Sequence, residues 1–202
     1  LDACAHGRAS DAVGWRAVVA LCRFAGCRVT EARTVEKANV DLTANPPRIK
    51  VTANKTARQT GRRYRVVPIL YPELLAAVEE AIAQSSPAWP FVVPPTVSQG
   101  RECNRTLRRI ARRAGVHHDY NNGKLPRRWG FQTLRACCAR DFLHLGMSEH
   151  QYARAMGHSP GVARDYYLAK FEDAVLAEDD DTAFQAAAAR LAGDTAGIQA
   201  PT

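Results

Sequence analysis

Within this 202-residue chain, a few polar side chains of the kinds that hold anions and exchange protons recur at suggestive spacings. Arg28 stands in Ala25-Gly26-Cys27-Arg28-Val29-Thr30-Glu31, with Glu31 one helical turn later. Arg135 stands in Phe131-Gln132-Thr133-Leu134-Arg135, where the three-residue spacing lets Gln132 and Arg135 face one site. Lys55 lies between two strand-like segments, crowded by Lys50, Arg58, Arg62, Arg63 and Arg65. His158 falls in AMGHSPGVARDYY, residues 155–167, which reads as a helix end, a break and a new helix start. Gly157 suits the position after a helix, Ser159 an N-cap and Pro160 a first turn, so Tyr166 and Tyr167 sit two turns into the next helix. Taken singly, each of these is an ordinary solvated or packed side chain.

The charge distribution narrows the choice of partner. The formal net charge is +8, but residues 171–202 carry seven acidic residues against one basic, Arg190. Residues 1–170 therefore hold 27 basic and 13 acidic residues, a net of +14. A body of that charge holds a polyanion, and nucleic acid is the default candidate. With 46% hydrophobic and 24% charged residues the chain reads as a globular domain, and no apolar run approaches the roughly 20 residues of a membrane span. Six cysteines (4, 22, 27, 103, 137 and 138) form no CxxC pair and read as small, reduced core residues of an intracellular protein. A start at Leu1 and not Met reads as a fragment of something longer.

The elements that must position these residues follow from periodicity. Residues 11–25 carry a helical stripe (Val18, Leu21, Cys22, Ala25), and residues 28–38 continue as helix or turn. Residues 39–42, 48–52 and 64–69 turn strand-like and read as a small antiparallel sheet. Residues 72–84 are amphipathic through Leu74, Leu75, Val78, Ala81 and Ile82, and a Pro-rich connection follows over 85–99. Residues 101–114 place Cys103, Leu107, Ile110, Ala111 and Ala114 on one face, with six arginines covering the rest. A loop over 117–130 leads to a helix from about Thr133 to Leu145. Ser148 and Gln151 then form a capping box for a short helix, and a last helix follows Asp179-Asp180-Asp181, lined by Phe184, Ala187, Ala188 and Leu191. The expected class is mainly α with a small antiparallel β-sheet.

Together, Arg28, Lys55, Arg135, His158 and Tyr167, in this order, resemble the catalytic domain of the tyrosine recombinases, the phage-integrase-like family. The matching motifs are GCRVTE, a hairpin lysine before VVPI, TLR opening a helix, GHS, and a tyrosine nine residues past the histidine, spread over about residues 11–170. The resemblance implies DNA cleavage and rejoining through a 3′-phosphotyrosyl intermediate, with no metal and no cofactor. Arg28 and Arg135 would grip the phosphate oxygens and stabilise charge building at phosphorus, with Glu31 holding Arg28. Tyr167 would attack, Lys55 would protonate the departing 5′ oxygen, and His158 would hydrogen-bond the phosphate. Neighbouring helix residues point about 100° apart, so only one of the two tyrosines reaches a given phosphate, and by the resemblance the family's spacing from His158 selects Tyr167.

One position departs from the pattern: the usual His-x-x-Arg reads Gln132-Thr133-Leu134-Arg135 here. Gln132 can donate to a phosphate oxygen but cannot take up and pass on a proton. Two alternatives therefore stand beside the recombinase: a catalytically degenerate DNA-binding protein of the same fold, and a type IB topoisomerase-like enzyme. Arg58, Arg62, Arg63, Arg105, Arg109, Arg127 and Arg128 are the candidate DNA-binding side chains, and His117-His118-Asp119 reads as a polar loop without a third metal ligand. The expected organisation is a breaking-rejoining domain over 1–170 and an acidic tail over 171–202 that docks in cis or on a neighbouring subunit. The DNA-binding domain that precedes this one in the family would be absent. The expected partners are double-stranded DNA and further copies in a tetramer, and the expected location is the cytoplasm, on the nucleoid.

Overall fold

The computed structural model describes residues 1–5, 9–52, 64–97, 100–119, 124–125 and 129–158. Helix α1 (Ala9–Phe24) is its axis. Val18, Leu21, Cys22 and Ala25 are fully buried, as the stripe predicts, and α1 packs against α3 (Pro72–Gln84) and α5 (Phe131–His144). Burying a Val or Leu side chain completely stabilises the fold by roughly 1.5–3 kcal/mol each. Two ion pairs brace the same contacts: Arg16 to Glu80 on α3 at 2.5 Å, and Arg23 to Asp141 on α5.

Helix α1 stops at Gly26, whose φ of +59° is a conformation that other residues adopt only with strain. Cys27 N–H closes the end by bonding to Leu21 O at 3.0 Å. The chain then enters the five-residue helix α2 (Val29–Arg33) and a 3-10 turn at Lys37–Asn39. Strands β1 (Val40–Asp41), β2 (Arg48–Thr52) and β3 (Tyr64–Pro68) form one antiparallel sheet in the order β1-β2-β3. Its register pairs Ile49 with Val67 and Val51 with Arg65. Ile49, Val51 and Val67 are fully buried, so Arg65 shares the core face, while Tyr64 and Val66 stand exposed.

Pro72 opens α3 in the first-turn position that suits proline. Helix α4 (Gly100–Arg113) buries Cys103, Leu107, Ile110 and Ala111, but Ala114 lies past its end and is exposed, unlike the expected stripe. A 3-10 turn at Val116–Asp119 occupies the start of what reads in sequence as a loop. Helix α5 begins at Phe131, two residues before the expected Thr133. One cause is local and one is not: the Thr133 hydroxyl accepts the Gly130 N–H at 3.2 Å, and the Phe131 ring stacks on the distant Trp15 of α1, with centroids 6.5 Å apart. Helix α6 (Glu149–Met156) opens with the expected capping box: Gln151 N–H donates to Ser148 Oγ and Ser148 N–H to Gln151 Oε1. It ends at Gly157, φ +67°, as its sequence requires. Five of the six cysteines are buried, Cys137 is half-buried, and all are free thiols.

Candidate active site

Four elements converge on one buried carboxylate. Glu31 comes from α2 and is 2% exposed. Its Oε1 accepts from Arg28 Nη1 at 2.7 Å, and its Oε2 accepts from the Arg28 backbone N–H at 2.9 Å. Arg65 of β3 donates to Oε2 through Nη1 at 3.2 Å and Nη2 at 3.1 Å. Arg135 of α5 brings Nη1 within 3.7 Å of the same oxygen. The end of α6 supplies the fourth side: Arg135 Nη2 lies 3.2 Å from His158 Nε2.

Arg135 is almost wholly buried, and its nitrogens also donate to Gly26 O and Met156 O. Those two carbonyls belong to helix ends that a left-handed glycine closes, one after α1 and one at the end of α6. Arg28 remains the more open of the pair, with 24% of its side chain exposed. His158 is half-buried, with its ring tilted over the fully buried Tyr152, centroids 6.4 Å apart.

Three guanidiniums around one carboxylate leave a net charge of +2, because His158 stays neutral. Burial, then the charges of Arg135, Arg28 and Arg65, push its imidazole down to about 3. Burial favours the neutral form of Glu31, but Arg65, two hydrogen bonds from Arg28, and Arg135 outweigh it and hold the carboxyl below its usual range. Burial, followed by the neighbouring Arg65 and Arg28, lowers Arg135. The cluster thus carries an excess of two positive charges, and its guanidinium forks are of the kind that pair with carboxylates and phosphates.

Arg28, Glu31, Arg135 and His158 thus meet, although up to 130 positions separate them in the sequence. Gln132 sits on the first turn of α5, one turn before Arg135, and is exposed. Arg105 is exposed on α4 beside Glu102 at 3.2 Å, and Arg109 is exposed and donates to Thr106 Oγ1. Lys55, Arg58, Arg62, Arg63, Arg127, Arg128 and Tyr167 lie outside the described residues, as does the acidic tail. Among the described residues, no group of three His, Cys, Asp or Glu side chains could hold a metal ion, and no helix is long and apolar enough to cross a membrane. Arg65 is the site residue that sequence reasoning missed, having been grouped with the surface cations around Lys55. The signal was the clean alternation of β2, whose pairing register carries Arg65 inward with Val51.

The fold has known counterparts. The XerH site-specific recombinase bound to palindromic difH substrate aligns with a TM-score of 0.63 at 17% identity, covering 86% of this chain and 48% of that one. XerA recombinase aligns with a TM-score of 0.55 at 17% identity, covering 80% and 62%. The catalytic domain of bacteriophage HP1 integrase aligns with a TM-score of 0.52 at 18% identity, covering 86% and 87%. The chain therefore spans about half of XerH and under two thirds of XerA, but most of the HP1 catalytic domain. No curated protein matches it. Residues 1–173 match the phage integrase family, a span that takes in every element described here, and the chain belongs to that family.

Proposed function

We propose that this chain is the catalytic domain of a site-specific DNA recombinase that cleaves and rejoins DNA through a 3′-phosphotyrosyl intermediate. The observation that carries the reading is the meeting of Arg28, Arg135 and His158 around Glu31. In this reading a scissile phosphate approaches through the exposed side of Arg28, and Arg135 and His158 complete its surroundings. With Nε2 facing Arg135, His158 carries its proton on Nδ1 and presents a phosphate oxygen with an N–H donor. Tyr167 gives its phenolic proton to solvent water and attacks phosphorus, the bond to the 5′ oxygen breaks, and Lys55 gives that oxygen its proton. The phosphotyrosine conserves the energy of the broken bond, so rejoining needs no nucleotide. Arg58, Arg62, Arg63, Arg105, Arg109, Arg127 and Arg128 supply backbone contacts along the duplex.

Residues 1–170 form the breaking-rejoining unit in this reading, and residues 171–202 a tail that docks on a neighbouring copy. XerH, which shares the fold, was captured on a palindromic substrate after cleavage. A palindrome offers two equivalent half-sites, which supports a symmetric assembly here, a tetramer when two sites are joined.

The test is adduct formation on a nicked suicide duplex by the full-length protein. Wild type and Tyr166→Phe form a covalent protein–DNA species, and Tyr167→Phe does not. Loss of the adduct in Tyr166→Phe alone would reassign the nucleophile. Gln132 favours one second reading, a DNA-binding protein without cleavage, which would give salt-sensitive DNA binding and no adduct. Relaxation of supercoiled DNA by a monomer without a specific site would point instead to a topoisomerase-like enzyme.

A further inference from the structure

Arg65 is a strand residue with only 7% of its surface exposed, and the reaction outlined above gives it no task. Its guanidinium touches three separate elements. Nε donates to Ala155 O in the last turn of α6 at 2.8 Å, Nη2 to Gly26 O after α1 at 3.2 Å, and both Nη groups to Glu31 Oε2 on α2. Its Cδ lies 3.0 Å from where a Cβ on Gly157 would stand, directly beneath the residue that precedes His158. Arg135 runs alongside it, spanning the same gap from Met156 O to the same Gly26 carbonyl.

The decisive detail is how the one carboxylate is shared. Arg28 takes Oε1 at 2.7 Å and Arg65 takes Oε2 at 3.1 Å. Arg135, at 3.7 Å, makes an ion pair with that oxygen but no hydrogen bond. Without Arg65, Oε2 would keep the Arg28 backbone N–H and have room to bond Arg135, and the site's excess charge would fall from two to one.

We infer that Arg65 is a positioning residue for the strand-transfer reaction: it occupies Glu31 so that Arg28 and Arg135 keep their charge for a phosphodiester, and it fixes the helix end that carries His158. This rests on the recombinase reading above. A phosphodiester carries one negative charge and gains more at phosphorus as the tyrosine attacks, so an excess of two suits the transition state better than the ground state.

The experiment measures single-turnover cleavage of the nicked duplex and, in parallel, DNA affinity by gel shift and folding by thermal melting. It uses the full-length protein as wild type, Arg65→Lys, Arg65→Met and the double variant Arg65→Met/Glu31→Gln. Arg65→Lys keeps the charge but cannot reach three acceptors at once, so it binds DNA as wild type does and cleaves about 100-fold more slowly, the loss typical of a misplaced catalytic group. Arg65→Met cleaves at least as slowly, and Glu31→Gln in that background restores about tenfold, because the carboxylate left over is what silences Arg135. A merely structural tie would make the double variant worse than the single one. Cleavage by Arg65→Lys at the wild-type rate, or a double variant no faster than Arg65→Met, overturns the inference. If Arg65→Met does not fold, the Arg65→Lys rate decides by itself. If wild type forms no adduct, it is the recombinase reading that fails.

Discussion

Arg135 Nη2 and His158 Nε2 lie 3.2 Å apart, and only one of the two can be the donor. An arginine has no acceptor, so the imidazole nitrogen accepts and its proton resides on Nδ1. The electrostatics agree, since burial and then Arg135, Arg28 and Arg65 drive His158 down to about 3 from an ordinary 6.5. Between those two values the unfolded chain binds a proton that the folded chain refuses, so stability falls as the pH drops from about 6.5 towards 3. Glu31 acts in the same direction, losing its contribution as the pH falls below its ordinary 4.5. The melting temperature of wild type therefore decreases from pH 7 to pH 4 more steeply than that of His158→Gln, which thermal scans across that range will show. A His158 resonance titrating near pH 6.5 by NMR would contradict the assignment.

Among the described residues, Glu31 is the carboxylate that Arg28 and Arg65 share at hydrogen-bonding distance, with Arg135 paired to it at 3.7 Å. Glu31→Gln leaves three buried or half-buried cations facing each other and destabilises the fold by about 3–5 kcal/mol, the range for breaking a buried ion pair from one side. In a chain of this size that lowers the melting temperature by roughly 10 °C. A loss of under about 1 kcal/mol in urea unfolding, the size of a surface ion pair, would show that Glu31 is not the hub.

Gly26 and Gly157 differ in what crowds them. An alanine Cβ at Gly26 meets Met156 Sδ at 2.5 Å, and one at Gly157 meets the flexible Arg65 side chain at 3.0 Å. Both substitutions carry the left-handed backbone penalty of about 1–2 kcal/mol. Gly26→Ala adds a clash and is the more destabilising in urea unfolding, whereas Gly157→Ala displaces Arg65 and slows cleavage more than its stability loss explains.

The arginines of α4 divide by task. Arg108 donates to Trp129 O at 3.1 Å and Leu125 O at 3.0 Å, tying α4 to the approach to α5. Arg108→Ala lowers stability by about 1.5–3 kcal/mol, as for lost hydrogen bonds to a charged group, and leaves the salt dependence of DNA binding unchanged. Arg105→Ala and Arg109→Ala do the reverse, each reducing the slope of log affinity against log salt by about one while the melting temperature stays put. Titrations at several salt concentrations separate the two outcomes.

Gln132 is exposed and one turn from Arg135, so a histidine fits there without disturbing the core. Gln132→His supplies a group able to relay the tyrosine proton and speeds single-turnover cleavage by about 100-fold, a typical general-base contribution. An unchanged rate would mean that another group already takes that proton.

Much of the local structure was legible. Leu74, Val78 and Ala81 repeat at helical spacing behind Pro72, and α3 follows residue for residue. Ser148 and Gln151 announced the start of α6, and Gly157 its end, because caps and left-handed turns are decided within a few residues. The order of Arg28, Lys55, Arg135, His158 and Tyr167 carried the resemblance, and the family match bears that resemblance out. Helix α5 was misplaced by two residues because Trp15, more than a hundred positions away, helps to hold Phe131.

Arg65 marks where local information ends. In Tyr64-Arg65-Val66-Val67-Pro68 the strand offers two faces, and hydropathy alone favours burying Tyr64, Val66 and Pro68. The fold does the opposite, since β2 has only one sensible inward face, Ile49 and Val51, and antiparallel pairing imposes that parity on β3. A buried arginine is tolerable only where a carboxylate and carbonyls wait for it, and Glu31, Gly26 and Ala155 come from distant parts of the chain. The sequence by itself determined which residue types and helix ends were present; which arginine lies inside, and which carboxylate oxygen it occupies, was decided only when the sheet packed against α6.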